Sequence, residues 1–216
     1  MIRRVVPYRA YQRSLRQAVI IKNYSTDNAN INKEKEKHRE FTEAEHSLID
    51  RVIRVDHAGE TAAVWIYAGQ MAVLGKDKRL RELLTAKQED HHLATFDKKV
   101  VDFRVRPTIL KPVAAVGGFA LGAITALMGE KSAMTCTEAV ETAIGTHYDN
   151  QLRDLVKIDH PEMKELLETI ALFRDQELEH LDTAVENGSR SAPFYRALSA
   201  FIGQGCKTAI WLCERV

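Results

Sequence analysis

Beyond residue 42, apolar residues recur along the chain at intervals of three and four, the spacing that collects side chains on one face of an α-helix. No stretch alternates apolar and polar residues over the length of a strand, and no Asn-Gly or Asp-Gly pair separates β-branched runs. The pattern therefore predicts an all-α fold.

Helix start and stop signals divide this pattern into five amphipathic helices. The first lies between a capping box at 42–45 and Gly75, because the Thr42 hydroxyl and Glu45 carboxylate can satisfy free amides at a helix start. The others are predicted from Asp77 to just before Arg106-Pro107, from Ser132 to about Ile158, from Asp159 and Pro161 to Asn187-Gly188, and from Pro193 to near the C terminus.

Two segments are more apolar than a bundle helix requires. Residues 112–129 carry no charge over 18 positions, which is the lower limit for crossing a bilayer. Residues 194–212 are also mostly apolar, although Arg196, Gln204 and Lys207 interrupt them. Whether the first segment crosses a membrane depends on where the chemical site lies.

The first 26 residues differ in composition from the rest of the chain. Six basic residues and no acidic residue precede Asp27, with Tyr, Ser and aliphatic residues between them. An Arg-rich, acid-free N terminus is typical of a mitochondrial transit peptide, and a basic tail is the alternative. The polar residues that follow alternate in charge and favour a linker. We therefore predict a transit peptide at 1–26, a polar linker at 27–41 and a catalytic domain at 42–216.

Composition narrows the class of protein further. Apolar residues make up 45% of the 216 residues and charged residues 28%, which is usual for a folded domain. The net charge of +1 gives no electrostatic reason to expect a nucleic-acid partner. Three widely spaced cysteines without a CxxC pair exclude a disulfide framework and a cysteine zinc site.

The second and fourth predicted helices each contain a Glu-x-x-His motif, at 89–92 and at 177–180. This spacing places a carboxylate and an imidazole one turn apart on the same helical face. One such motif is weak evidence, and we assign a third example at 43–46 to background. The two motifs gain weight because the helix before each one carries a glutamate in a mostly apolar turn, Glu60 and Glu141.

The chain thus repeats the order glutamate, then Glu-x-x-His, in two halves. Glu141 follows Glu60 by 81 residues, and Glu177 follows Glu89 by 88 residues. Four helices that present four carboxylates and two imidazoles to one centre are the pattern of ferritin-like di-iron or di-manganese proteins. The sequence therefore predicts a ferritin-like four-helix bundle with a long apolar crossover helix and an extra C-terminal helix.

Charge supports a metal at the centre of this bundle. Buried carboxylates are costly unless they are paired or bind a metal, and two ferrous ions would balance four of them. Oxygen ligands with two imidazoles favour iron or manganese over zinc. Any single one of these residues could instead lie on a solvated helix face and form a surface ion pair. The repeated order of all six glutamates and histidines along the chain favours a metal site. The predicted ligands are Glu60, Glu89, His92, Glu141, Glu177 and His180.

Four longer strings of residues resemble one known family. They are RVIRVDHAGE at 51–60, IYAGQMAVL at 66–74, FRVRPT at 103–108 and FRDQELEH at 173–180. These collinear strings closely resemble the demethoxyubiquinone hydroxylase family of ubiquinone biosynthesis. The resemblance extends from about Leu48 to Val216, and the metal ligands of the family fall on the same six residues. Trp211 stands where the resemblance leads us to expect tyrosine.

The resemblance implies a mitochondrial di-iron monooxygenase that hydroxylates the ring of demethoxyubiquinone, the penultimate step of ubiquinone synthesis. It implies two iron ions, O2, and NADH as reductant. The implied location is the matrix side of the mitochondrial inner membrane, where the protein would be peripheral. The implied partners are a polyprenylated quinone substrate and a lipid-binding protein of the ubiquinone-synthesis complex, and a homo-oligomer is compatible with the sequence.

A shared metal site also decides how residues 112–129 are placed. If this segment crossed a bilayer, Glu60 and Glu141 would lie on opposite sides of it and could not share the site. We therefore predict a crossover helix about 27 Å long, at 1.5 Å per residue, that returns the chain along the bundle. We expect its exposed face to enter the membrane interface together with residues 194–212. Burial in a larger core or a dimer contact is the alternative.

Three residues near the predicted ligands are candidates for supporting roles. Tyr148 follows Glu141 by seven residues on the same helical face. Tyr148 and the adjacent His147 are candidate hydrogen-bond donors to a ligand or to an oxygen intermediate. The alternatives are a core tyrosine and a surface histidine. Asp56, one turn before Glu60, could orient a ligating imidazole.

Three functions are compatible with these features. An iron store or ferroxidase would share the ligands but would not need two apolar segments. A non-catalytic lipid-binding or quinone-binding scaffold would need those segments but not six converging ligands. A membrane-associated hydroxylase needs both, which is why we favour it.

Overall fold

The computed structural model describes residues 40–84 and 87–216. The predicted transit peptide and the linker up to residue 39 lie outside the described residues. The helices are α1 Glu43–Leu74, α2 Lys78–Leu83, α3 Lys87–Asp102, α4 Lys111–Leu127, α5 Glu130–Leu155, α6 Met163–Glu186 and α7 Tyr195–Cys213. A 3-10 turn, Ser189–Ser191, precedes α7. The described part of the chain contains no strand, and the prediction of an all-α fold is confirmed.

The long first helix begins at the capping box that the sequence predicts. The Glu45 amide donates to the Thr42 hydroxyl at 3.3 Å, and the Thr42 amide donates to the Glu45 carboxylate at 2.9 Å. These two bonds satisfy amides that have no partner within the helix. From this start α1 runs for 32 residues and carries Glu60 near its middle.

The segment after Asp77 forms two helices, although the sequence predicted one. α2 ends at Leu83, and α3 begins at Lys87. Leu84 is buried among apolar side chains, but the next large apolar residue is Leu93. The first side chains that α3 buries in the bundle are therefore polar, Glu89 and His92, and not apolar.

Helices α1, α3, α5 and α6 form the four-helix bundle. Their facing side chains build the main core, which includes Ile49, Ile53, Phe96, Tyr148, Leu155, Leu166, Ile170 and Phe173. The bundle is ferritin-like, as the sequence predicts, and the predicted ligands lie on these same four helices.

The predicted crossover segment is the helix α4, which packs along α1 at very short range. A Cβ atom at Gly118 would lie 2.6 Å from the Ala62 carbonyl oxygen, and one at Gly122 would meet the Ile66 carbonyl even closer. Such a close approach requires glycine, because any side chain would separate the helices. The other face of α4 exposes apolar side chains, including Val113, Val116, Ile124 and Leu127.

The C-terminal helix α7 packs against α5 and α1. It also leaves large apolar side chains exposed, among them Phe201 and Trp211. The Arg215 guanidinium lies 4.1 Å from the centre of the Trp211 ring, a cation–π contact. Among the described residues, no helix has both the length and the apolar character needed to cross a membrane.

Candidate metal centre

The structure brings all six predicted ligands together at the centre of the bundle. Glu60 lies on α1, Glu141 on α5, and the two Glu-x-x-His motifs lie on α3 and α6. The six residues form two overlapping groups, each with four ligand atoms within 4.8 Å of one another. The first group is Glu60, Glu89, His92 and Glu177, and the second is Glu89, Glu141, Glu177 and His180. Five of the six side chains are buried, and His180 is partly exposed.

Each imidazole turns its Nδ1 atom towards the carboxylates. His92 Nδ1 lies 3.0 Å from Glu177 Oε1 and 3.4 Å from Glu60 Oε2. His180 Nδ1 lies 2.9 Å from Glu89 Oε1 and 3.0 Å from Glu177 Oε2. Glu89 and Glu177 belong to both groups, so these two carboxylates lie where the two sets of donor atoms meet.

Two glutamines, which the sequence analysis missed, contact the Nε2 atoms of the two imidazoles, one glutamine for each. Gln176 on α6 contacts His92 Nε2 of α3 at 2.7 Å, and Gln88 on α3 contacts His180 Nε2 of α6 at 2.5 Å. Because each amide oxygen accepts from Nε2–H, it leaves the Nδ1 lone pair free for a metal. The signal was present in the sequence, since a glutamine directly precedes the glutamate of both Glu-x-x-His motifs.

The donor set fits bound cations. Several buried polar atoms at this centre lack a hydrogen-bond partner: Glu60 Oε2, both Glu89 oxygens, His92 Nδ1, Glu141 Oε2 and Glu177 Oε1. Buried polar atoms are normally paired, and so many orphaned ligand atoms in one place require another source of compensation. Two divalent cations would provide it, because they balance four carboxylates and bind oxygen and imidazole donors.

The acid–base properties of the centre reflect crowded like charges. Burial raises the pKa of Glu60 to about 7 and that of Glu141 well above its usual value, and neighbouring carboxylates add to both shifts. Burial opposes charge on His92, but Glu177 and Glu60 outweigh it and raise the pKa to about 11. Without metal, therefore, protons occupy part of this site at neutral pH.

Tyr148 contacts the centre directly, as proposed from its spacing. Its hydroxyl is buried and donates a hydrogen bond to Glu60 Oε1. Burial, together with the charge of Glu60, raises the pKa of this phenol well above its usual value, so it keeps its proton. His147 lies further out, where its Nε2 contacts the Gln151 amide at 2.8 Å.

The proposal that Asp56 orients a ligating imidazole is wrong. Asp56 Oδ1 accepts from the Gln151 amide at 2.7 Å, and the basic side chain at ion-pair distance is His147, at 3.9 Å. The partners of His92 and His180 are the two glutamines instead. Asp56 is one turn from Glu60, but its carboxylate contacts Gln151 and lies near His147, both on α5, and neither is a predicted ligand.

An apolar cavity of about 370 Å³ adjoins the centre. Its walls come from α1, α4, α5 and α7 and consist mostly of aliphatic side chains and glycines. Four of the lining side chains carry a nitrogen or oxygen atom: Asp56, Glu60, His147 and Tyr148. Because Glu60 belongs to both the cavity wall and the cluster, and Tyr148 in the wall donates to Glu60, a molecule in the cavity would reach the edge of the metal centre.

The fold and the cluster together define a class: a ferritin-like helical bundle with carboxylate and histidine side chains placed for metal at its centre. Comparison with known proteins then identifies the family. The family model described as Ubiquinone biosynthesis protein COQ7 matches residues 47–213, and the chain belongs to this family.

Named relatives agree with this assignment over most of their length. The chain is 53% identical to the 3-demethoxyubiquinol 3-hydroxylase of Rhodospirillum rubrum over 79% of each chain. It is 46% identical to the NADPH-dependent 3-demethoxyubiquinone 3-hydroxylase, mitochondrial, of Rattus norvegicus over 97% of this chain and 90% of the relative. It is 45% identical to the 5-demethoxyubiquinone hydroxylase, mitochondrial, of Saccharomyces cerevisiae over 82% of both.

Proposed function

We propose that this protein is a di-iron monooxygenase that hydroxylates the ring of demethoxyubiquinone in ubiquinone biosynthesis, with O2 and a reduced nicotinamide nucleotide. One observation carries the proposal: Glu60 belongs both to the six-ligand cluster and to the wall of an apolar cavity, and Tyr148 in the same wall donates a hydrogen bond to it. A ferroxidase needs the cluster alone and a lipid scaffold needs the cavity alone, whereas an oxygenase needs substrate beside metal.

The ligand residues prepare the site for two iron ions. Glu60, Glu89, His92 and Glu177 would hold one ion, and Glu89, Glu141, Glu177 and His180 would hold the other. When bound, two ferrous ions would supply the redox chemistry that activates O2. The protein itself fixes the tautomer of both imidazoles, balances the charge of the ions with four carboxylates, and keeps water away from the site.

Tyr148 and the cavity walls control protons and water beside the site. The Tyr148 phenol holds a proton at its Oη atom and shares it with Glu60 through a buried hydrogen bond. The aliphatic walls exclude water and accept a ring with an apolar tail. A hydrophobic substrate would therefore meet the oxidising centre without competition from bulk water.

The exposed apolar faces of α4 and α7 support a membrane-surface location. These two helices also line the cavity, so a quinone with a long polyprenyl tail could pass from a bilayer into it without crossing water. The names of the mitochondrial relatives suggest the same organelle. We place the protein on the matrix side of the inner membrane, in contact with a lipid-binding partner of the ubiquinone-synthesis complex.

The proposed electron donor is a reduced nicotinamide nucleotide, either NADH or NADPH. The resemblance suggested NADH, whereas the rat relative is named as NADPH-dependent. Both nucleotides carry the same hydride donor. Turnover with each nucleotide, measured side by side as quinone product formed per iron, separates them.

Metal content and Mössbauer spectra of the purified protein test the proposed function first. Two irons per chain in a coupled pair, reducible by dithionite, are expected, together with conversion of demethoxyubiquinone to its hydroxylated product. One metal or none, in protein supplied with iron during expression, would support the scaffold. Coupled iron without quinone hydroxylation, but with rapid oxidation of added Fe(II), would support the ferroxidase.

A further inference from the structure

Asp56 is a buried acid that the metal centre does not use. It lies on α1, is only 4% exposed, and belongs to neither group of predicted ligands. Its Oδ1 atom accepts from the Gln151 amide at 2.7 Å. Its Oδ2 atom is buried and has no hydrogen-bond partner, and the residue lines the apolar cavity.

Nothing in the described surroundings of Asp56 neutralises a negative charge there. The basic group at ion-pair distance is His147, 3.9 Å away, and burial lowers the pKa of that imidazole, so it is neutral at pH 7. Glu60 is a second acidic group facing Asp56. Burial raises the pKa of Asp56 well above its usual value against the opposing effect of the Gln151 amide, and the charge of Glu60 raises it further. The neutral acid carries one O–H donor.

The chemistry of the cavity limits what can pair with Oδ2. The walls around it are aliphatic, so a bound molecule must be mostly apolar. The free Asp56 oxygen then offers that molecule a polar contact that no protein group occupies. A quinone or quinol ring has this form: an apolar ring and tail with oxygens at its edge, which exchange hydrogen bonds with a neutral carboxylic acid.

We propose that Asp56 positions the substrate ring in the cavity through a hydrogen bond between its Oδ2 atom and a ring oxygen of the quinone or quinol. Gln151 holds the carboxyl group in place from the α5 side. The inference rests on the proposed function, because it takes the quinone ring as the ligand of this cavity. Asp56 is a positioning residue, since it places the ring beside Glu60 and Tyr148 and does not touch the metal ligands' donor atoms.

Paired ligands and paired variants test this contact. The probes are a 1,4-benzoquinone with one isoprenoid unit and the arene of the same substitution without ring oxygens. Calorimetry on the full-length, iron-loaded protein in detergent gives the ratio of their two affinities. We expect wild type to prefer the quinone about fivefold to tenfold, the value of one hydrogen bond. Asp56→Leu should reduce the ratio to about one, and Asp56→Asn should keep most of it because the amide still donates.

Further measurements separate positioning from a structural role. Asp56→Leu should raise KM for a short-chain substrate by a similar factor while iron content stays at two per chain. Cys206→Ala, in the same cavity wall, removes no hydrogen bond at Asp56 and should leave the ratio unchanged. If Asp56→Leu does not fold, Asp56→Ala takes its place in the same assay. An unchanged ratio in a folded Leu or Ala variant overturns the inference.

A failure of this inference and a failure of the proposed function give different results. An active hydroxylase with an unchanged ratio overturns only the role of Asp56. If the protein binds quinone selectively through Asp56 but does not hydroxylate it, the positioning role of Asp56 holds and the proposed hydroxylase activity is wrong. A wild-type protein with equal affinity for both probes excludes the contact itself.

Discussion

Glu177 is the residue on which most of the candidate centre depends, because it lies in both ligand groups and within 3.0 Å of both imidazole Nδ1 atoms. We expect Glu177→Ala to abolish hydroxylation and to lower bound iron from two per chain to less than one. The helical content should remain, since apolar core packing and not this carboxylate holds the bundle. Iron analysis and far-UV circular dichroism measure both effects.

A matched control lies two residues away on the same helix. Glu179 is exposed and belongs to neither ligand group. Glu179→Ala should keep full iron and full activity. Retention of two irons by Glu177→Ala would contradict the assignment of the centre, whatever the activity.

The two glutamines provide a second prediction at the residue scale. Gln176→Leu removes the acceptor that holds His92 in the Nε2–H form, and Gln88→Leu does the same for His180. Loss of such a partner typically costs 10-fold to 100-fold in metal affinity. Competition with a chromophoric Fe(II) chelator should show this loss, while the exposed Gln204→Leu binds as wild type. If all three variants bind Fe(II) with equal affinity, the glutamine amides do not fix the protonation and orientation of the two imidazoles.

Protons compete with metal at the centre. In the metal-free chain, the carboxylates around them raise the pKa of His92 to about 11 and that of His180 to about 9, although burial opposes both shifts. Both imidazoles therefore carry protons at pH 7 and must release them when they bind a metal. The affinity for Fe(II) should rise as pH increases from 6.5 to 8, by about tenfold per pH unit for each proton released.

Calorimetry in two buffers with different ionisation enthalpies counts these protons directly. We expect at least two protons released per chain at pH 7, one from each imidazole. Fe(II) binding that is independent of both pH and buffer would show that the imidazoles are already neutral in the metal-free chain.

At the scale of helices, the sequence predicted most of the architecture and the ligand set but not the supporting contacts. The motifs at 89–92 and 177–180 have a fixed helical spacing, so local geometry alone places each pair on one face. The carboxylate of Asp56 is held by Gln151 across the bundle, and His92 and His180 are each held by a glutamine from the other half of the chain. Contacts between distant segments have no local pattern, which is why sequence periodicity could not supply them.

The packing of α4 on α1 offers a test with an internal control in one helix. A Cβ at Gly122 would collide with the backbone of Ile66, whereas a Cβ at Gly117 would meet nothing within 4 Å. Gly122→Ala should lower the free energy of unfolding by about 1–3 kcal/mol, because the helices must separate. Gly117→Ala should be neutral or stabilising by up to about 1 kcal/mol, since alanine favours a helix. Urea denaturation measures both, and equal stabilities would contradict the close contact.

For the molecule as a whole, the exposed apolar faces of α4 and α7 predict binding to lipid surfaces. Leu127 is 74% exposed and Phe201 is 76% exposed. Burying one such side chain in lipid contributes about 1.5–3 kcal/mol, so replacing both with glutamate should weaken vesicle binding at least tenfold. Co-sedimentation with vesicles of mitochondrial lipid composition measures the change.

Two exposed apolar residues elsewhere serve as the control for this experiment. Val101 on α3 and Leu172 on α6 are 73% and 52% exposed, and neither lies on α4 or α7. The double glutamate variant of this pair should bind vesicles as wild type does. If both double variants lose binding equally, the effect is general electrostatic repulsion from anionic lipid and not insertion of a particular face.

The crossed contacts between glutamines and histidines make each half of the metal centre depend on the other half. Gln88 holds the imidazole of the second half of the chain, and Gln176 holds that of the first. An incompletely folded chain, with only one Glu-x-x-His helix in place, therefore has neither a full ligand set nor an oriented imidazole. Under the proposed function, such a chain would bind iron poorly and would not expose a redox-active ion to oxygen before the cavity has formed. The crossed contacts would then act as a safeguard during biogenesis, because the complete ligand set exists only when the whole bundle does.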